Sequence, residues 1–179
     1  MVLTSGYFVT GLPESFLIIG RGEIMGIPFP VIASVLIVIA FDFLLKNWIA
    51  LNRAFHVGAS PDYAQLLGIN VKRTVFLGFA LCGLFSGISA MFMCSRLAMG
   101  YAQFGLEIEL RALGAAVIGG ATFSGGRGSI WGTFLGVLLL ALVNNGFVLM
   151  DASIYWQKVV NGTILIIAIA TAVRHVKGK

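Results

Sequence analysis

Long apolar runs, more than any other feature, limit what this chain can fold into. Residues from Ile27 to about Ala50, Thr74 to about Met93, Ile130 to Met150 and Ile154 to Val173 approach the roughly 20 residues that a helix needs to cross a bilayer. A fifth run, Leu110 to Ile118, is too short to cross alone unless the glycine-rich stretch after it continues partway. Apolar residues make up 59% of the chain and charged ones 11%, too little charge to keep the surface of a soluble domain of this size wet. The expected fold is an all-α membrane protein, a single polytopic helical bundle over 1–179 with about five spanning segments, one of them short or broken.

The net charge of +5 does not point to nucleic acid. Its basic residues stand in small groups beside apolar runs: Lys46 and Arg53, Lys72 and Arg73, then Arg174, Lys177 and Lys179. That pattern marks the cytoplasmic side of a membrane protein, whereas a nucleic-acid site needs a dense basic stripe with aromatics. With 52–73 inside, 1–27 and the acidic stretch 98–109 fall outside. Gly125–Arg127 returns inside, Asp151 lies outside and the basic tail ends inside. Met1–Thr10 lacks a basic segment followed by an apolar one, so no cleavable signal peptide is expected.

Catalytic chemistry finds little material. Cys82 and Cys94 lie in one run, about 18 Å apart along a helix, too far for a disulfide. With His56 and His175 distant, no metal set forms, and no nucleophile or acid pair has a workable spacing. No catalytic, cofactor-binding or metal-ligating residue is assigned. Asp42, well inside a run, is either a relay or the partner of Lys46 one helical turn on.

The stretch Gly119-Gly120-Ala121-Thr122-Phe123-Ser124-Gly125-Gly126-Arg127-Gly128-Ser129 resembles a phosphate cradle only superficially, because it contains no lysine. It reads better as a tight re-entrant turn or broken helix, with Gly119, Gly120, Gly125, Gly126 and Gly128 serving close packing or the solute path. Asn144 and Asn145 either face a pathway or join helices by hydrogen bonds. Gly83 with Gly87, and Gly132 with Gly136, have the spacing that lets membrane helices approach closely.

The stretch from Asn52 to Arg73 is the most informative. Ser60 can cap a short helix with Pro61 at its first position and Asp62 in its first turn, and Gly68 can end it. Ala64, Leu66 and Leu67 give that helix apolar surface, as a docking element would need. The alternative is a solvated connector.

Gly58-Ala59-Ser60-Pro61-Asp62-Tyr63-Ala64-Gln65-Leu66-Leu67-Gly68-Ile69-Asn70-Val71 resembles the coupling segment of ribose- and autoinducer-type ABC importer permeases. Gly26-Ile27-Pro28 before it resembles the family in the expected order. So do Leu81-Cys82-Gly83-Leu84, Glu109-Leu110, Ala115-Ala116-Val117-Ile118-Gly119-Gly120, Gly125-Gly126-Arg127-Gly128 and Asn144-Asn145-Gly146 after it. The resemblance implies a monosaccharide-importer permease in the bacterial inner membrane. It would work with a cytoplasmic ABC ATPase, an extracytoplasmic solute-binding protein and a second permease subunit, surrounded by lipid. Ser60, Pro61, Asp62, Ala64, Leu67, Gly68 and Ile69 would seat on the ATPase, which would hold the nucleotide, and 1–27 would help receive the binding protein. Members of that family are nearly twice this long, so the chain resembles a C-terminal half. Arg111 also stands where ribose-type members are expected to be acidic. The alternative is a non-transporting membrane assembly or truncated fragment that binds partners only.

Overall fold

The structure, a computed structural model, describes residues 8–101, 103–106, 108–122 and 124–177. Its elements in chain order are α1 (Glu14–Arg21), a two-residue hairpin of β1 (Glu23–Ile24) and β2 (Ile27–Pro28), and α2 (Phe29–Asn47). Then follow α3 (Ile49–Ala59), α4 (Pro61–Leu66), α5 (Val71–Leu97), α6 (Ile108–Ile118), α7 (Ile130–Leu149) and α8 (Ile154–Lys177). Among the described residues α2, α5 and α7 are both long and apolar enough to cross a membrane. At 24 residues α8 reaches about 36 Å, also a crossing length, whereas α6 has only 11 residues. This is the helical membrane fold that the apolar runs predict.

The chain divides into two compact units, 1–41 with 72–106 and 42–71 with 107–179. In the first, the segment before α2 is folded against α5. Gly20 in α1 has no room for a side chain, because a Cβ there would collide with the backbone of Ser95 and Arg96. Ser95, fully buried, donates from its hydroxyl to the Phe16 carbonyl at 2.6 Å and accepts from the Gly20 N–H at 2.7 Å. Arg21 Nε donates to the Arg96 carbonyl at 3.1 Å, and Val9 and Gly100 exchange both backbone hydrogen bonds. Phe29 and Phe41 of α2 meet Phe92 and Phe85 of α5.

In the second unit α6 and α7 pack backbone to backbone. A Cβ on Gly136 would collide with the Ala115 carbonyl, and one on Gly132 with the Gly119 carbonyl. Pairing 115 with 136 and 119 with 132 makes the two helices antiparallel. Asn161 Nδ2 of α8 donates to Asn144 Oδ1 of α7 at 3.0 Å, fixing α8 on the same pair.

The first spanning run and the stretch after it need correction. The run ends as a helix at Asn47, and Trp48, in extended conformation, breaks the chain before α3 restarts at Ile49. Residues 52–59, read as part of the polar loop 52–73, are therefore helical. Their polarity reports exposure, since Val57 alone among them is buried, and a polar stretch free of proline can still wind into a helix. Pro28 lies in β2 and only Pro30 is inside the helix, in its first turn, where a missing N–H costs nothing.

Candidate functional site

α3 and α4 form an elbow whose geometry follows from four residues, Ser60, Pro61, Asp62 and Gly68. Ser60 is extended (φ −160°, ψ 108°), so its side-chain oxygen accepts from the Tyr63 N–H at 3.3 Å and closes the N-terminus of α4. Pro61 fills the first helical position and Asp62 places its carboxylate at the positive end of the helix. At the other end the Gly68 N–H donates to the Gln65 carbonyl at 2.9 Å and the Ile69 N–H to the Ala64 carbonyl at 3.0 Å. This pair of bonds is the Schellman closure, and it requires the left-handed backbone that Gly68 supplies at φ +75°. Six residues capped at both ends hold a defined shape that an uncapped helix of this length would not.

The surface of α4 differs from its sequence-level reading in two respects. Ala64 is wholly buried, so it anchors the helix and presents nothing. Tyr63, Leu66 and Leu67 are the exposed apolar residues, Leu66 at 85%. Tyr63 was not among the residues expected there; its position one residue before Ala64 on a six-residue helix was the available signal.

The glycine-rich stretch is a compact turn between α6 and α7. Gly120 (φ +95°) closes α6 with the same double bond pattern as α4: its N–H donates to the Val117 carbonyl and that of Ala121 to the Ala116 carbonyl. Thr122 Oγ1 donates to the Gly125 carbonyl at 2.8 Å, the Gly125 N–H returns to the Thr122 carbonyl at 3.0 Å, and the Thr122 N–H reaches the Arg127 carbonyl at 3.2 Å. Ser129 caps α7 by accepting from the Gly132 N–H at 3.1 Å. Gly119 lies against the backbone of Gly132 and Thr133, and Gly125 and Gly126 against that of Gly58 and Ala59. Gly128 is in ordinary contact distance of Ala121 and Phe55 and is not demanded by crowding. Phe123 lies outside the described residues. The glycines expected to form the turn thus meet Gly58 and Ala59, which directly precede the residues expected to couple.

The two asparagines separate. Asn144 joins helices: its amide donates to the Leu140 carbonyl at 2.9 Å and its oxygen accepts from Asn161. Asn145 is exposed. Neither lines the cavity of about 240 Å³ in this unit, whose walls include Arg111 and Gly114 of α6, Leu140 of α7, and Lys158, Asn161 and Gly162 of α8. Asn161 Oδ1 is buried and has no hydrogen-bond partner among the described residues. Asn161 was missed by sequence reasoning, although an amide well inside an apolar helix was a usable signal. Asp42 is an ion-pair residue, with Lys46 Nζ 2.6 Å from its Oδ2.

A set of apolar helices with an exposed, doubly capped helix at one elbow and a glycine-built break between two others has the build of a multi-pass membrane protein. The chain belongs to the family described as branched-chain amino acid transport system / permease component, which matches residues 2–169. It is 37% identical over 171 residues to the ribose import permease of Bacillus subtilis (strain 168), covering 94% of this chain and 53% of that one. It is 36% identical over 148 residues to a probable ABC transporter permease of Escherichia coli (strain K12), covering 83% and 45%. With the xylose transport system permease of Haemophilus influenzae it shares 37% over 144 residues, 80% of this chain and 38% of that one. The chain therefore spans about half the length of the curated relatives it matches, or less. No solved structure matches it.

Proposed function

We propose that the chain forms part of the membrane-spanning permease of an ATP-driven importer for a monosaccharide or similar small solute. The observation that carries this reading is the similarity to ribose and xylose permeases over 80–94% of the chain. The family's transport role and the relatives' sugar names favour a sugar over an amino acid, although the family description names the latter.

On this reading 1–179 acts as one membrane domain in the bacterial inner membrane, with 1–27 extracytoplasmic and 52–73 cytoplasmic. α4, held by Ser60, Pro61, Asp62, Ala64, Leu67, Gly68 and Ile69, seats on a partner ABC ATPase, with Tyr63, Leu66 and Leu67 as its apolar contact. ATP hydrolysis belongs to that partner, and a solute-binding protein delivers the solute from outside. A second permease subunit and whatever supplies the helices present in longer relatives complete the path. The contact between Gly58–Ala59 and Gly125–Gly126 supports the proposed orientation, since it keeps two segments assigned to the cytoplasmic side together.

ATP-dependent uptake by the complete complex tests the proposal through Gly68→Trp. A bulky residue with a Cβ is strained at φ +75° and opens the C-terminal closure of α4. Uptake is expected to fall at least roughly tenfold, as misplacement of a coupling element should produce. Unchanged uptake would remove α4 from the coupling role. Stable partner binding with no stimulation of ATPase activity by loaded binding protein would instead favour a non-transporting assembly.

A further inference from the structure

The elbow and the glycine turn meet closely through backbone at Gly58, Gly125 and Gly126 and through the Ala59 methyl. Gly58 and Ala59 are the last two residues of α3, immediately before the Ser60 cap of α4. A Cβ on Gly58 would lie 2.8 Å from the Gly126 nitrogen, and one on Gly126 would lie 2.7 Å from Ala59 Cβ. One on Gly125 would collide with the Gly58 carbonyl. At Gly58, Gly125 and Gly126 the nearest atoms are backbone and the Ala59 methyl, which have no rotamer to change. Close-packed contacts of this kind pass strain on, because they compress little.

What lies beyond the contact is equally stiff. The turn is cross-braced by the three Thr122 bonds to Gly125 and Arg127, and Gly125 and Gly126 hold left-handed backbone at φ +79° and +75°. It runs into the closed end of α6 on one side and the Ser129 cap of α7 on the other. Those two helices are fixed to each other at Gly119–Gly132 and Ala115–Gly136. From α4 to the α6–α7 pair there is thus a continuous path of backbone contacts and short hydrogen bonds.

We infer that Gly58, Ala59, Gly125 and Gly126 are positioning residues for transport: they weld α4 to the break between α6 and α7, so that displacement of α4 moves both helices as one body. The inference rests on the reading of α4 as the seat of the ATPase and adds where its motion enters the bundle. The opposite design is one in which α4 swings on a loose hinge and α6–α7 respond only through lipid or other helices.

The test uses the complete importer reconstituted in lipid, with the native Cys82 and Cys94 replaced by serine and nitroxide labels attached through Asp62→Cys of α4 and Ser124→Cys of the turn, both exposed positions. The distance between the labels is measured without nucleotide and in a trapped ATP-bound state. A welded unit keeps that distance within about 2 Å, the scale of a small helix adjustment, and a larger change overturns the inference. Gly126→Val supplies the functional arm. It is expected to cut uptake roughly tenfold while ATPase activity stimulated by loaded binding protein persists, a split that general unfolding would not give. Uptake at the unsubstituted level overturns the weld, and if this variant fails to assemble the label distance decides alone. Thiol modification of the Asp62→Cys variant with and without the ATPase separates the two readings. Protection together with a changing distance removes only the weld, whereas equal modification removes the coupling role of α4 and the weld with it.

Discussion

Two glycine pairs with the same four-residue spacing behave differently. Gly132 and Gly136 of α7 lie so close to α6 that neither can carry a side chain, whereas a Cβ on Gly83 or Gly87 of α5 would meet nothing within 4 Å among the described residues. The spacing creates a small-residue face in both helices. Only in α7 is that face matched by a neighbour of complementary shape, the Ala115–Gly119 turn of α6. A spacing motif therefore states what a helix permits, and the partner decides whether the permission is used.

The largest expected effect sharpens this contrast. Gly136→Leu drives a side chain into the Ala115 carbonyl and should destabilise the α6–α7 pair by about 3 kcal/mol or more. In detergent its thermal unfolding midpoint should fall steeply and the monodisperse fraction shrink; an unchanged midpoint would mean that α6 and α7 are not packed as described.

Ser95→Ala comes next. It leaves the Gly20 N–H and the Phe16 carbonyl without their buried partner, at a cost of about 2 kcal/mol. Hydrogen exchange should accelerate across α1 and leave α7 unaffected. Exchange that rises everywhere equally would show a global role for Ser95 and not a local anchor.

Ser60→Ala removes the cap of α4 for about 1 kcal/mol. Faster exchange at the Tyr63 amide and little change at the Ile69 amide, which belongs to the far closure, is the expected pattern. The smallest effect belongs to the open pair. Gly83→Ala and Gly87→Ala should leave this chain's stability unchanged or raise it by up to about 1 kcal/mol each through helix propensity. A clear loss of stability in the isolated chain would show that the α5 face is already occupied.

Much of this architecture was legible in the sequence because the bilayer imposes a length and a hydropathy on each crossing helix. The helices α5, α7 and α8 begin within a few residues of the apolar runs that announced them. α4 was legible for a local reason: Ser60, Pro61 and Gly68 each favour one backbone conformation at one end of a helix. The Trp48 break was not, since Trp48 has no intrinsic preference for ending a helix and Lys46-Asn47 is a weak stop signal within an apolar run that continues past it. Nor was the anchoring of α1, which depends on Ser95 meeting residues 75 and 79 positions away. The candidate site divides in the same way. Its caps and turns are local and were readable, but the meeting of Gly58 with Gly126, the link between Asn144 and Asn161, and the cavity walled by Arg111 and Lys158 come from packing across the chain.

The most direct test of the central claim places a photo-cross-linking residue at Leu66, the most exposed apolar position of α4, in cells that make the native membrane complex. Irradiation followed by mass spectrometry should recover an adduct with an ABC ATPase, formed at Leu66 and absent from a control probe at the exposed Leu149. Abundant, membrane-integrated chain that yields no ATPase adduct from Leu66 would contradict the assignment of α4 as the ATPase seat and, with it, the importer reading.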